Sequence, residues 1–238
     1  MRIQAFALTH PGCVRRINED SVALPGCVMV DQSEVPVPAA PSRRPALFAV
    51  IDGLGGHRCG EEASRLVAHS LLELAPKIHS VYELEIGLET INERLFSEMG
   101  MDERRQGYGA VAAGVAFDDE SAFIFNVGDA RVYEYSNGYA ILISADQRIP
   151  GSNAVTQSFG GREDYKAILP KITEHKIVGP LRFLICSDGL WESVELPLLE
   201  RCLAIEGLES AAEQLMGEAL KANASDNVSL VVIDIDGG

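Results

Sequence analysis

The sequence predicts an α+β domain, because runs of strands and runs of helices follow one another without regular alternation. Apolar segments with strand character fill the N-terminal part and the stretch between residues 107 and 187. Helical periodicity marks two other stretches, 60–98 and 195–222. The 238 residues, of which 47% are hydrophobic, suffice to bury a core, and we expect one domain spanning residues 1–238.

The N-terminal part predicts two strands separated by a long loop. Residues 3–9 alternate in polarity and predict the first strand. Residues 25–45 hold five of the eleven prolines, which predicts a surface loop between two strands and not an interdomain linker. The apolar run 46–51 then predicts a buried strand that ends at a glycine-rich turn.

Two helices follow this turn. The first is predicted over residues 60–77, with Glu61 and Glu62 in its first turn, where acids suit the helix dipole, and with Pro76 near its end. The second is predicted over residues 82–98, because its leucines and Ile91 recur at helical spacing.

From residue 107 the period changes to that of strands. Four apolar runs between 107 and 146 predict an antiparallel meander, and Asn137-Gly138 is a strong hairpin signal between the last two. The remaining predicted elements are strands at 167–174 and 181–187, helices at 195–204 and 209–222, and a last strand at 228–235.

Composition excludes several classes of function. The net charge of −15 leaves no basic stripe for nucleic acid, so nucleic-acid binding is not expected. No apolar run approaches the ~20 residues that span a bilayer, and the N-terminal apolar stretch is too short for a signal peptide. Five cysteines without a CxxC pair indicate reduced thiols and a cytoplasmic location.

Acidic side chains stand at the ends of five predicted strands. They are Asp52 after 46–51, Asp129 after 122–127, Asp188 after 181–186, Asp226 before 228–233, and Glu19 with Asp20 before 21–24. A carboxylate at a buried strand end is costly unless it is paired or bound to metal. We therefore expect these strand ends to converge on Mg²⁺ or Mn²⁺, which prefer hard oxygen ligands.

Two other motifs are weaker. The segment 53–56 lacks the final glycine of a dinucleotide fingerprint and has no following Gly-Lys-Ser/Thr. Cys59 precedes Arg65 at the spacing of cysteine-dependent phosphatases, but Glu61 and Glu62 would lie inside the phosphate cradle and repel the dianion.

The order and spacing of seven motifs resemble the PP2C-type (PPM) metal-dependent serine/threonine protein phosphatases, in their compact bacterial form. The motifs are RRINED at 15–20, DGLGGH with EEAS at 52–64, NVGDARVY at 126–133, SADQ at 144–147, SFGG at 158–161, CSDGLW at 186–191 and SDNVSLVV at 225–232. They cover nearly the whole chain. The resemblance implies a β-sandwich of two antiparallel sheets flanked by helix pairs.

The resemblance also implies a role for each acidic residue. A hydroxide that bridges two metal ions would attack phosphorus in line. In this scheme Asp52 bridges the two ions with help from the Gly53 carbonyl, and Asp188 and Asp226 complete one ion. Asp20 and Glu19 hold metal-bound waters, and Asp129 with Asp188 binds a weaker third ion. Arg15 clamps the substrate phosphate. A guanidinium fork suits phosphate oxygens.

Three departures from the family pattern are visible. Leu54 stands where many eukaryotic members carry a histidine that can protonate the leaving group. Gly109-Ala110-Val111 replaces Gly-Thr-Thr, which we interpret as a change of core packing. The flap near 147–156 is shorter than is usual in the family, where this segment helps to contact substrate and to shape the third-metal site.

The leading hypothesis is a cytoplasmic phosphatase that removes phosphate from serine and threonine of phosphorylated proteins and opposes a cognate Ser/Thr kinase. It would use two Mn²⁺ or Mg²⁺ ions and act as a monomer without membrane insertion. The alternative is a catalytically weak regulatory or scaffold protein with the same fold. Retention of every metal carboxylate argues against that alternative.

Overall fold

The computed structural model describes residues 1–54, 59–102 and 105–236. Two antiparallel β-sheets pack face to face, and helices cover the outer surface of each sheet. The predicted α+β class and the sandwich of two antiparallel sheets are thus confirmed.

Thirteen strands are found in the described residues. They are β1 Arg2–His10, β2 Ser21–Leu24, β3 Cys27–Met29, β4 Val37–Ala39, β5 Ala46–Gly53, β6 Gly109–Phe117, β7 Ser121–Val127, β8 Arg131–Ser136, β9 Tyr139–Leu142, β10 Phe159–Gly160, β11 Lys171–Lys176, β12 Leu181–Cys186 and β13 Val228–Asp236.

The strands divide into two sheets. Sheet I has the order β4-β1-β13-β12-β8-β9, and sheet II has the order β11-β7-β6-β5-β2-β3 with β10 beside β6. The long central strands of each sheet are continuously buried, because one face meets the opposite sheet and the other face meets helices.

Five α-helices are present in the same residues: α1 Gly60–Leu74, α2 Val81–Met101, α3 Asp188–Trp191, α4 Leu196–Leu203 and α5 Leu208–Lys221, with a 3₁₀ turn at Ala75–Lys77. Helices α1 and α2 pack on sheet II, and α4 and α5 pack on sheet I. Among the described helices, none is both long and apolar enough to cross a bilayer.

The core between the sheets consists of inward-facing side chains from both. Phe117 contacts Phe48 edge-on at 6.0 Å and Phe183 at 5.9 Å between ring centroids. Because Phe183 belongs to sheet I and the other two belong to sheet II, these contacts fix the two sheets against each other.

The structure corrects four sequence predictions. The loop at 25–45 contains β3 and β4, which form because each pairs with one neighbour at a sheet edge; Pro38 is tolerated at such an edge. The meander prediction is wrong, since β6 and β7 lie in sheet II whereas β8 and β9 lie in sheet I. The strand predicted at 167–174 starts at Lys171, and α3 and β10 were not predicted.

Candidate active site

The acidic strand ends meet at a cleft of about 550 Å³ at one edge of the sandwich. The predicted site residues that line it are Arg15, Glu19, Asp52, Gly53, Asp129, Asp188 and Asp226. Asp20 lies behind the wall of this cleft and is 1% exposed. The structure thus brings all eight residues together, and their individual roles stay predictions.

Asp52 is the second-to-last residue of β5 and lines the cleft. Asp52 pairs in register with Val111 of the central strand β6, and this pairing fixes the position of Asp52 along sheet II. Burial, followed by the charges of neighbouring aspartates, among them Asp20 and Asp188, raises its pKa well above the ordinary value of 3.8. A cation bound here would stabilise the charged carboxylate and oppose this shift.

Gly53 is required by the backbone packing next to Asp52. A Cβ atom at this position would come within 2.4 Å of the carbonyl oxygen of Gly60 and 2.7 Å of that of Glu19. Its N–H donates to the Glu19 carbonyl at 3.2 Å. The absence of a side chain lets β5 approach both the start of α1 and the loop before β2.

Asp20 is held from the opposite sheet. Ser187 donates its hydroxyl hydrogen to Asp20 Oδ2 at 2.9 Å, while the backbone N–H of Ser229 donates to the Ser187 hydroxyl at 2.9 Å. Asp20 Oδ1 is buried and has no hydrogen-bond partner among the described residues. Burial raises the pKa of Asp20 to about 6.

Asp188 is the first residue of α3, directly after β12 ends at Cys186. Its Oδ1 is also buried without a hydrogen-bond partner in the described part of the chain. Burial and then the charge of Asp129 raise its pKa to about 7. Gly189 follows it because a Cβ there would come within 2.0 Å of the Asn227 carbonyl oxygen.

Asp226 contacts the predicted phosphate clamp. Arg15 Nη2 donates to Asp226 Oδ2 at 2.7 Å, and both side chains are well exposed, at 45% and 40%. Residues 12–17 form turns and bends and are not extended, so strand alternation does not decide between Arg15 and Arg16. Arg15 faces the cleft and Arg16 does not line it.

Asn227 is a positioning residue whose role the sequence reasoning missed. Its amide Nδ2 donates to the carbonyls of Pro11 and Ile17 at 3.1 and 2.9 Å, and its Oδ1 accepts from the Glu19 N–H at 2.9 Å. One side chain therefore ties the loop that carries Arg15 and Glu19 to the start of β13. Burial, and next the charge of Glu61, raise the pKa of the Glu19 carboxyl.

Asp129 has a different environment from the other aspartates. Arg148 Nε lies 3.2 Å from Asp129 Oδ2, and the same guanidinium reaches Glu192 Oε1 at 2.8 Å. Burial raises the pKa of Asp129 to about 6, although Arg148 opposes the shift. Neither Arg148 nor Glu192 was predicted, because 44 residues separate them and no motif marks either one.

The donor set fits divalent metal ions. Within residues 1–54, 59–102 and 105–236 the acidic side chains surround the cleft without closing into a preformed cage of three or more ligands. Two buried carboxylate oxygens, on Asp20 and Asp188, nevertheless lack partners there. Orphaned, hard oxygen donors in a half-enclosed cleft match the preferences of Mg²⁺ and Mn²⁺.

The departures predicted from the sequence also lie at this cleft. Leu54 and Val111 both line it, and the remaining residues of the glycine turn, 55–58, lie outside the described residues. The short flap at 147–156 is a tight loop, in which Arg148 bridges to Val155 and the Thr156 N–H donates to the Gln147 carbonyl at 2.7 Å. Cys59 begins α1 with a left-handed φ of 68° and does not line the cleft.

Comparisons with known proteins find relatives among protein phosphatases. A statistical description of the family named Protein phosphatase 2C matches residues 39–223. The chain is 26% identical over 206 residues to the serine/threonine protein phosphatase PstP of Mycobacterium tuberculosis, covering 79% of this chain and 40% of PstP. It is 30% identical over 218 residues to the probable protein phosphatase 2C 69 of Arabidopsis thaliana, covering 79% and 60%. The chain thus spans well under half the length of the mycobacterial relative.

Solved structures show the same fold. The crystal structure of PstP from M. tuberculosis superposes with a TM-score of 0.83 at 25% identity and covers 100% of both chains. A PstP catalytic domain in complex with two manganese ions gives 0.81 at 25% identity over 99% of each chain. PppA, a regulatory component of a type VI secretion system in Pseudomonas aeruginosa, gives 0.79 at 25% identity, over 98% and 97%.

Proposed function

This chain belongs to the protein phosphatase 2C family, and on that premise we propose that it hydrolyses phosphoserine and phosphothreonine in proteins with two Mn²⁺ or Mg²⁺ ions. The observation that carries the proposal is the buried Asp52, surrounded by aspartates from four other strand ends at one cleft. A PstP catalytic domain of this family is complexed with two manganese ions, which supports the metal assignment.

The ligand assignment is the one that the family resemblance implies, and the position of these residues at one cleft supports it. Asp52 would hold the two ions with help from the Gly53 carbonyl, and Asp188 and Asp226 would complete one of them. Asp20, which lies behind the wall of the cleft, and Glu19, which lines it, would accept hydrogen bonds from metal-bound waters. When bound, two close cations lower the pKa of a water and stabilise the charge on a phosphoryl group.

The protein's own side chains would bind and orient the substrate. Arg15 reaches over the cleft from an exposed turn and can exchange its contact with Asp226 for the phosphate oxygens. Ser187 fixes the rotamer of Asp20. Leu54 has no ionisable group, so protonation of the leaving serine or threonine oxygen falls to solvent or to another group in the cleft.

The proposed biological context is narrower than the family. We infer that phosphorylated proteins are the substrates and that a cognate Ser/Thr kinase supplies them. We further propose that residues 1–238 form one domain, that this domain acts as a monomer and that it works in the cytoplasm. The strongly acidic surface, with a net charge of −15, argues against nucleic-acid partners.

The test is phosphatase activity toward p-nitrophenyl phosphate and a phosphothreonine peptide, with Mn²⁺ and with EDTA. We expect hydrolysis that needs the metal and that is lost in Asp52→Asn. Asp164→Asn serves as the matched control, because Asp164 is exposed and does not line the cleft. A folded protein that binds Mn²⁺ without hydrolysing either substrate would instead support the scaffold alternative.

A further inference from the structure

A largely buried arginine, Arg148, lies at the edge of the cleft, away from the predicted phosphate clamp. The Arg148 guanidinium contacts Asp129 Oδ2 through Nε at 3.2 Å, Glu192 Oε1 through Nη1 at 2.8 Å and Asn153 Oδ1 through Nη2 at 2.8 Å. The Arg148 side chain is 13% exposed and that of Asp129 is 6% exposed. Nη1 and Nη2 therefore donate hydrogen bonds, and Nε adds an ion-pair contact with Asp129.

The short flap holds Arg148 firmly in this position. The adjacent residue, Gln147, accepts from the Gly128 N–H at 2.8 Å through its side chain and donates to the Leu169 carbonyl at 2.7 Å. The guanidinium also lies 5.0 Å from the ring centroid of Trp191, whose indole N–H donates to the Asp129 carbonyl at 3.2 Å. The hydrogen bonds of Gln147 and the ring of Trp191 thus hold Arg148 next to Asp129.

The guanidinium bridges two carboxylates that no other described cation joins. Asp129 follows β7 at the crossing between the sheets, and Glu192 ends α3, which begins with Asp188. A divalent ion held by Asp129 together with either Glu192 or Asp188 would compete with Arg148 for Asp129 Oδ2. Its entry would require a buried arginine to leave its partners, which is costly because an isolated buried charge is strongly disfavoured.

We propose that Arg148 occupies the place of a third divalent cation, so that the active site binds two ions and no third one. The proposal rests on the two-ion function proposed above and replaces the third-ion role predicted for Asp129 and Asp188. It also names Glu192, and not Asp188, as the carboxylate that is joined to Asp129. Removal of the guanidinium would leave the negative charges of Asp129 and Glu192 unneutralised and would create a site for Mn²⁺.

The experiment counts bound Mn²⁺ per chain by native mass spectrometry and by calorimetric titration. We expect two bound ions in the wild type and three in Arg148→Gln. Arg148→Lys keeps the charge and should bind two. Arg148→Gln combined with Glu192→Gln should return to two, because the new ligand pair is broken.

Arg43→Gln controls for the loss of any arginine, since Arg43 is exposed and does not line this cleft. Circular dichroism and a thermal unfolding curve establish that each variant is folded. Three ions in the wild type would overturn the proposal and leave the proposed phosphatase function standing. Two ions in a folded Arg148→Gln would also overturn it. No Mn²⁺ binding in the wild type would defeat the metal-dependent function itself.

Discussion

Without divalent ions, the protein should lose stability as the pH rises from 5 to 8, and Asp188 should account for much of the loss. Burial, together with the charge of Asp129, raises the pKa of Asp188 from 3.8 to about 7 in the folded state. The folded protein therefore binds this proton more tightly than the unfolded chain does. Because the unfolded chain binds fewer protons through this window, the free energy of unfolding falls as the pH rises.

The magnitude follows from the same two pKa values. Stabilisation by the proton on Asp188 is complete below the unfolded pKa and is lost as the pH passes through the folded one. At about 1.4 kcal/mol per pH unit, raising the pH from 5 to 8 removes roughly 3 kcal/mol for this carboxyl alone. Asp20 and Asp129, whose pKa values are raised to about 6, act in the same direction. The loss calculated for Asp188 alone is a large share of a typical domain stability of about 5–15 kcal/mol.

The assay is urea unfolding in EDTA at pH 5 and pH 8, followed by circular dichroism. Asp188→Asn carries no titrating carboxyl, so its stability should change less between the two pH values and should exceed that of the wild type at pH 8. Asp164→Asn, an exposed substitution, should follow the wild type. Addition of Mn²⁺ should restore the wild type at pH 8. Equal pH dependence in Asp188→Asn and the wild type would refute the reasoning.

Three further outcomes are expected. Asp52→Asn should reduce turnover by at least roughly a hundredfold, because it removes the charge that holds two dications together; near-normal turnover at saturating Mn²⁺ would show that Asp52 is not the bridging ligand. Arg15→Ala should raise KM for a phosphopeptide and lower kcat without weakening Mn²⁺ binding, whereas Arg16→Ala should change neither constant in steady-state kinetics; the reverse order would reject Arg15 as the clamp. Cys59→Ser should leave metal-dependent activity almost unchanged and alkylating agents should not abolish it, since Cys59 does not line the cleft; an inactive Cys59→Ser enzyme with vanadate sensitivity would contradict the metal mechanism.

The acidic strand ends could be predicted because a carboxylate directly after a buried run is a local and costly feature. Asp52 and Asp188 each follow such a run, and sheets place the ends of neighbouring strands at common edges. Helices α1 and α2 were predictable for a similar reason, since their apolar faces recur over many turns.

The sequence periodicity could not predict that the chain crosses from sheet II to sheet I between β7 and β8. Strands β7 and β8 both read as apolar runs, and a run of this kind does not specify which sheet it joins. What separates them is the backbone at Gly128, with a φ of 102°, where a Cβ atom would come within 2.2 Å of a side-chain atom of Val111. That contact exists only in the folded domain. In the sequence alone the turn at Gly128 therefore has the features of an ordinary hairpin.

Arg15 and Arg148 show why residue type alone does not assign a role. Arg15 is 45% exposed, lies on a turn and has one carboxylate partner, so it can leave Asp226 for a phosphate at little cost in solvation. Arg148 is 13% exposed; it donates hydrogen bonds to Glu192 and Asn153 and forms an ion pair with Asp129. A charge that is exchanged during turnover has to be reachable from solvent, whereas a charge that balances buried carboxylates has to stay in place. The structure therefore favours substrate binding for Arg15 and permanent charge compensation for Arg148.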